Sequence, residues 1–257
     1  ALEVLRSGRH VVSEKPFAIT TAECDAMIAE GKKKKLVVST YHNRHWDGVV
    51  LQALKTIRSG ALGKIHRIEC HMGAYGAPRA WWRSSKSISG GILYDWGVHL
   101  LEYSLQILDS EMTEVSGFTK NGFWASKPGA PFPKDANEDE ATAIVRFKNG
   151  AWLSLTLTSL DANPKKGIIE ISGEKGSYIM DHGSWEMISN DGAGKTTITK
   201  GKNPPDEGWR FYENIANHLV KKEPLVITGE WARRPIHIID LAGRSAKLGK
   251  ALEVKYK

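Results

Sequence analysis

His10-Val11-Val12-Ser13-Glu14-Lys15-Pro16 reads as a short buried strand that runs into a proline-fixed exit. Pro16 biases Lys15 away from the helical region, so the lysine is held at the strand's carboxyl end. Thr20-Thr21-Ala22-Glu23 then reads as a cap leading into a helix from Ala22 to Lys35, with Ala26, Met27 and Ala29 on its apolar side. Leu36-Val37-Val38-Ser39-Thr40 is the next strand, and a helix from about Asp47 to Ser59 follows, closing at Gly60 and Gly63. Strand, helix, strand, helix at this spacing argues for a parallel sheet. Upstream, Ala1-Leu2-Glu3-Val4-Leu5-Arg6-Ser7-Gly8 reads as the tail of a helix with a glycine C-cap. With no initiator Met and no signal-peptide pattern, the chain reads as opening in mid-fold.

After Gly63 the pattern changes. Lys64–Met72 alternates as a longer strand would. Asp139–Phe147 and Ala151–Ser159 are strand-like runs joined at Lys148-Asn149-Gly150, a strong hairpin signal. Ile168–Ser172, Gly176–Met180 and Ser184–Ile188 follow, with Thr196–Thr199 as an edge strand. Helices are expected over Gly91–Leu108, Trp209–Lys222 and Pro235–Leu248, and Thr119–Ala136 reads as a loop. The fold class is therefore α/β, a parallel unit over residues 1–62 followed by an α+β domain with a mostly antiparallel sheet over 63–257.

The 257 residues are 41% hydrophobic and 25% charged, as in an ordinary globular protein, and no apolar run is long enough to span a bilayer. Cys24 and Cys70 lack metal-ligand spacing and make no disulfide framework, which points to a reducing, cytoplasmic compartment. The net charge of +7 owes much to Lys32-Lys33-Lys34-Lys35, the solvated end of one helix. No basic stripe interleaved with aromatics stands out, so neither nucleic acid nor membrane is read as a partner.

The chemistry concentrates in few places. The segment after Gly90-Gly91 is apolar over most of a helix's circumference, and its polar residues Asp95, His99, Glu102 and Gln106 fall in one stripe. That stripe either touches solvent or faces a cavity. Near a helix N-terminus, an ionised Asp95 or an alkoxide is favoured. Lys15, beyond a strand's carboxyl end, stands where ligands bind in open α/β sheets; on the tripeptide alone it reads more readily as an ordinary surface lysine. Tyr41-His42-Asn43-Arg44-His45-Trp46 leaves the next strand at the same edge and suits a ligand-binding rim. His42 and His45 lack a carboxylate or cysteine at matching spacing, so no metal site is read. Ala80-Trp81-Trp82-Arg83 is a further rim, or aromatic packing beside a surface arginine.

Together, Gly8 through Pro16, Asn43-Arg44, Gly60-Ala61-Leu62-Gly63-Lys64-Ile65, Gly90-Gly91 through Asp95 and His99, and Ser245-Ala246-Lys247-Leu248-Gly249-Lys250 resemble the family of glucose–fructose oxidoreductase, inositol dehydrogenase and the rhizopine-catabolism proteins. The resemblance covers essentially the whole chain. It implies a Rossmann-type dinucleotide domain, here partial, and a substrate domain whose open sheet face forms homodimers or homotetramers. It implies NAD or NADP as cofactor and hydride transfer on a secondary alcohol of a sugar, cyclitol or related polyol. The family's catalytic lysine, aspartate and histidine fall on Lys15, Asp95 and His99. Glu14, Lys15, Pro16 and Arg44 would meet the cofactor, with the Lys15–Pro16 bond cis. Asn43, Arg83, Asp95 and His99 would meet the substrate.

In physical terms, one group must take the hydroxyl proton and another must stabilise the alkoxide. His99 as base with Lys15 as electrostatic partner is one assignment; Lys15 as acid/base with His99 as substrate anchor is the other. In either, the Lys15 charge should lower the His99 pKa. Asp95 would orient Lys15 or His99, or bind a substrate hydroxyl. The chain lacks the G-x-G-x-x-G phosphate loop of such enzymes, and βαβ units carrying it are expected to precede Ala1. The 257 residues alone are thus expected to bind NAD(P) weakly and to present an apolar sheet edge. A non-catalytic sugar-sensing regulator on the same fold, or an NAD-dependent glycosidase, are the alternative readings.

Overall fold

The computed structural model describes residues 1–255. Helix α1 (Leu2–Arg6) leads through Gly8, at φ 85°, into strand β1 (Val11–Ser13). Helix α2 (Thr21–Lys34) starts with a reciprocal cap: the Thr20 hydroxyl accepts from the Glu23 N–H, and the Glu23 carboxylate accepts from the Thr20 N–H. It ends at Lys35 in the left-handed region, φ 56°. Strand β2 (Val38–Thr40) pairs parallel with β1, Val11 opposite Val38 and Ser13 opposite Thr40. A 3-10 turn (Asn43–Trp46) and helix α3 (Gly48–Arg58) complete this Rossmann-like part. Among the described residues β1 pairs with β2 alone; Val12 is exposed, and Leu2, Phe17, Ala18, Ile19 and Met27 line an apolar groove of about 650 Å³ nearby.

Strand β3 (Ile65–Gly73) opens the large sheet. A short helix α4 (Lys86–Ser89) and the buried helix α5 (Gly97–Ile107) follow. Then come β4 (Met112–Lys120), β5 (Glu140–Phe147), β6 (Trp152–Thr158), β7 (Ile169–Gly173), β8 (Gly176–Met180), β9 (Ser184–Asn190) and β10 (Thr196–Lys202). Helices α6 (Trp209–Lys221) and α7 (Gly229–Leu248) and the short β11 (Leu252–Glu253) end the fold. The sheet order is β10-β9-β8-β7-β3-β6-β5-β4-β11; β3 runs parallel to β6, and every other neighbouring pair is antiparallel. Asn149-Gly150 turns β5 into β6, with Gly150 at φ 86°.

The alternation of β5 and β6 sends Ala141, Ala143, Val145, Leu153, Leu155 and Leu157 into one core, which Leu100 and Leu101 of α5 and Ile236, Ile238 and Ile239 of α7 share. Each fully buried Leu, Ile or Val contributes about 1.5–3 kcal/mol of transfer free energy. This core is what holds α5 against the sheet. Cys24 and Cys70 are free thiols buried in it, and burial pushes each up to about 12, so neither is poised as a nucleophile. No helix among the described residues is long and apolar enough to cross a membrane.

Several elements differ from the sequence reading; the short α4 and β11 had none. The expected helix from Gly91 to Leu108 is broken: Ile92–Tyr94 form a 3-10 turn, and α5 proper begins at Gly97. Asp95, at φ −86° and ψ −82°, lies outside it, and its carbonyl accepts from the Lys15 ammonium. Helix α7 starts not at Pro235 but at Gly229, where Thr228 accepts from the Trp231 N–H, and Pro235 sits inside it. Strand β4 occupies a stretch that had no strand reading, and its end overlaps the expected loop from Thr119.

Gly117 of β4 crosses α7 so closely that a Cβ there would stand 1.9 Å from the Ala242 carbonyl oxygen. Gly117→Ala must push strand and helix apart, and is expected to lower unfolding stability by about 1–3 kcal/mol. Urea denaturation checks this, and an unshifted midpoint would refute the close packing.

Candidate active site

Both parallel strands end at the same edge, and the residues leaving them converge there. The Thr40 hydroxyl donates to the carbonyls of Ser13 and Glu14, at 3.2 Å each, which fixes the path of the chain into Lys15. The Lys15–Pro16 peptide is cis. Lys15 Nζ donates to Asp95 Oδ1 at 2.6 Å and to the Asp95 carbonyl at 3.1 Å, across 80 residues of sequence. Arg83 Nη1 donates to the other carboxylate oxygen, Oδ2, at 3.1 Å. One carboxylate therefore holds two cations.

His99 lies in the first turn of α5, 5% exposed, with its ring 5.6 Å from that of Trp96. Its imidazole makes no hydrogen bond with the described residues. Burial is the main cause that drives its pKa down from 6.5 to about 2, and the charges of Lys15, Arg44 and Arg83 add to it. The ring is neutral at physiological pH. The lysine's effect on the histidine is thus the one its charge requires.

Arg44 is held by Asp47, Nη1 to Oδ2 at 2.9 Å, and its guanidinium lies 4.9 Å from the Trp96 ring centre. Tyr103 of α5 donates to the same Asp47 oxygen at 2.9 Å. Burial raises the Asp47 pKa, opposed by the hydrogen bonds from Arg44 and Tyr103. Asn43 opens the 3-10 turn and is partly buried; Glu14 is exposed beside the lysine. The site brings Lys15, Asp95 and Arg83 into direct contact and sets His99 and Arg44 around them. It places Asn43 and Glu14 at its edge without a side-chain hydrogen bond.

Several residues that the sequence reading named only as members of a stripe or a rim have supporting roles it did not assign, and Trp231 joins them. Glu102, 0% exposed, is no solvent-facing member of the polar stripe: Trp231 Nε1 donates to it at 3.0 Å, Gln106 Nε2 at 3.1 Å, and His45 Nδ1 bonds Oε1. Burial opposes its ionisation, but these partners hold its carboxyl below the usual range. His42, 2% exposed, has both ring nitrogens unpartnered, and its ring stands 6.3 Å from that of His99. Burial lowers its pKa to about 4. The only sequence signal for this layer was the polar run Tyr41–Trp46 together with the stripe on α5. Among the described residues no group of three or more His, Cys, Asp or Glu side chains is arranged to hold a metal ion.

The donor set tests the fit of a nicotinamide dinucleotide. Lys15 and Arg44, beyond the ends of the two parallel strands, with the Trp96 and neutral His99 rings beside them, suit a planar carboxamide-bearing ring and an adjacent alcohol. Residues 1–257 contain no G-x-G-x-x-G turn.

Residues 50–179 match the GFO/IDH/MocA C-terminal domain, and residues 1–42 match the oxidoreductase family with an NAD-binding Rossmann fold. The scyllo-inositol 2-dehydrogenase (NADP(+)) IolW of Bacillus subtilis is 33% identical over 98% of this chain, which spans 74% of that protein. An uncharacterized oxidoreductase of Schizosaccharomyces pombe, C115.03, is 35% identical over 41% of this chain, and there the match spans only 29% of the relative. A solved levoglucosan dehydrogenase, in complex with NADH and levoglucosan, superposes with a TM-score of 0.82 at 21% identity, over 100% of this chain and 77% of that one. The chain belongs to the GFO/IDH/MocA oxidoreductase family.

Proposed function

We propose that this chain forms the reaction centre of an NAD(P)-dependent oxidoreductase that interconverts a secondary alcohol and a carbonyl on a sugar, cyclitol or related polyol. The observation that carries the reading is the Lys15–Asp95 contact with neutral His99 beside it. Residues 1–62 supply the nicotinamide side and 63–257 the substrate side. The named substrates of the relatives, scyllo-inositol and levoglucosan, support a polyol or sugar. A second copy of the chain would pack on the open face of the large sheet, giving a homodimer or homotetramer.

Lys15, Asp95 and His99 are the catalytic residues in this reading. When bound, the nicotinamide ring accepts or returns the hydride of the CH–OH group. Lys15 Nζ faces the substrate oxygen and stabilises negative charge developing there: as an ammonium it gives a proton to that oxygen when hydride reaches the carbon, and in the reverse direction the neutral amine takes up the hydroxyl proton. His99 does not hold that proton, because burial first, and then the charges of Lys15, Arg44 and Arg83, disfavour a positive charge on its ring. Its neutral ring hydrogen-bonds and orients the same oxygen. Asp95 sets the lysine's position and balances its charge. Arg83 and Asn43 meet other substrate hydroxyls, and Arg44, with Glu14 and Pro16, borders the nicotinamide.

A panel of hexoses, inositols and sugar acids with NAD+ and NADP+, run on the full-length protein, tests this. Lys15→Ala should lower kcat by about 10²–10⁴-fold. His99→Ala should raise KM as well as lower kcat. Unchanged turnover in Lys15→Ala would end the assignment.

The buried histidines also set an acid limit on stability. His42 and His99 are neutral in the fold, with pKa values of about 4 and about 2, but titrate near 6.5 in the unfolded chain. Below about pH 6.5 the unfolded state binds protons that the fold excludes, so stability rises with pH and is lost as pH falls toward 4. Each histidine adds up to about 1.4 kcal/mol per pH unit to that slope. Denaturation between pH 4 and 7, roughly the window set by these values, should show a shallower slope for His42→Gln; parallel curves would contradict a neutral His42.

A further inference from the structure

Trp81 and Trp82 are large apolar side chains left in the open, 45% and 53% exposed. Folding alone gives no reason for two adjacent indoles to stand free of the core. Their ring centres are 6.4 Å apart with the planes inclined at 46°. The Arg83 guanidinium carbon lies 5.0 Å from the Trp81 ring centre and 5.1 Å from that of Trp82. The same guanidinium bonds Asp95 at 3.1 Å, and Asp95 bonds Lys15. The indoles therefore stand one guanidinium group further out than the carboxylate at the reaction centre.

The platform is fixed. Trp82–Ser84 form a 3-10 turn, and Asn137 binds both sides of it: its Nδ2 donates to the Arg83 carbonyl at 2.6 Å, and its N–H donates to the Ser84 carbonyl at 3.2 Å. Ser84 and Ser85 are buried beneath, and Asp135 accepts from the Ser85 and Ser87 hydroxyls. Asn137 also lines a cavity of about 400 Å³, together with Ala77, Pro78, Ala80, Trp124 and Lys127. A pyranose ring has an apolar C–H face and a hydroxyl rim. The exposed indoles with the Arg83 guanidinium against them match both.

We propose that Trp81 and Trp82 form a second sugar subsite and that the substrate is a glycoside of at least two rings. The ring at Lys15 and His99 undergoes alcohol–carbonyl interconversion, and its neighbour stacks on the indoles with the glycosidic bond intact. This rests on the reading of Lys15 and His99 given above.

The test uses the full-length protein with NAD+ or NADP+, comparing maltose, cellobiose and galactosyl-inositol with glucose, galactose and myo-inositol. At least one two-ring compound should have the higher kcat/KM. Trp82→Ala and Trp81→Ala should each cut the two-ring to one-ring ratio roughly three- to tenfold, mostly through KM. Trp82→Phe should keep most of the preference, which a merely structural role would not predict. Binding of the same sugars to Lys15→Ala, followed by saturation-transfer NMR, reads the subsite without turnover. No turnover of any compound, with two-ring binding that depends on Trp81 and Trp82, would reject the redox reading and keep the subsite. Turnover and binding indifferent to both tryptophans would reject the subsite and keep the redox reading. Preference for p-nitrophenyl glucoside over every disaccharide would overturn it in favour of an aromatic aglycone site.

Discussion

The contact between the Lys15 ammonium and the Asp95 carboxylate joins two parts of the chain that fold by different rules. Lys15 is delivered by a parallel two-stranded sheet, and Asp95 by the entry to a helix buried against a nine-stranded sheet. Neither part can place the other's residue. The ion pair is partly shielded from water, so its Coulomb energy is less screened than that of a surface pair. Its geometric effect is at least as large: it fixes how the strand edge meets α5, and His99, Trp96 and Arg44 take their places around that junction.

Charge and burial then divide the roles of the site. Lys15, Arg44 and Arg83 surround a region with the single shared carboxylate of Asp95 and the separately engaged Asp47. Negative charge arising on a substrate oxygen is favoured there, and a further positive charge is not. Neutral His99 and His42 follow from that field together with desolvation. Behind them Glu102 ties residues 45, 106 and 231 to one buried carboxylate, so the turn carrying Asn43 and Arg44 is held from the rear. Loss of one donor to such a buried carboxylate leaves it under-satisfied, which commonly costs about 1–3 kcal/mol.

Much of this was legible in the residues. The capping box at Thr20 and Glu23, the glycine at position 8 and the hairpin at Asn149-Gly150 each carry their conformation in local chemistry, and the corresponding elements stand where expected. Strand β4 was not legible because a register shift between Met112 and Glu114 breaks its alternation, and Gly117 at its centre reads as a breaker while answering to α7. Pro235 resembles a helix start, yet the cap at Thr228 lies seven residues earlier. In the site, the lysine, aspartate and histidine stood out by motif, whereas the Glu102 network and the isolation of His42 depend on packing between distant segments.

The ammonium of Lys15 has a second anchor, the main-chain carbonyl of Asp95, at 3.1 Å. Backbone oxygen survives any exchange of the side chain. Placement and charge balance of the amine are therefore separable properties in this molecule: an uncharged isostere at position 95 would leave the nitrogen tethered while removing its counterion, so field and position can be varied one at a time.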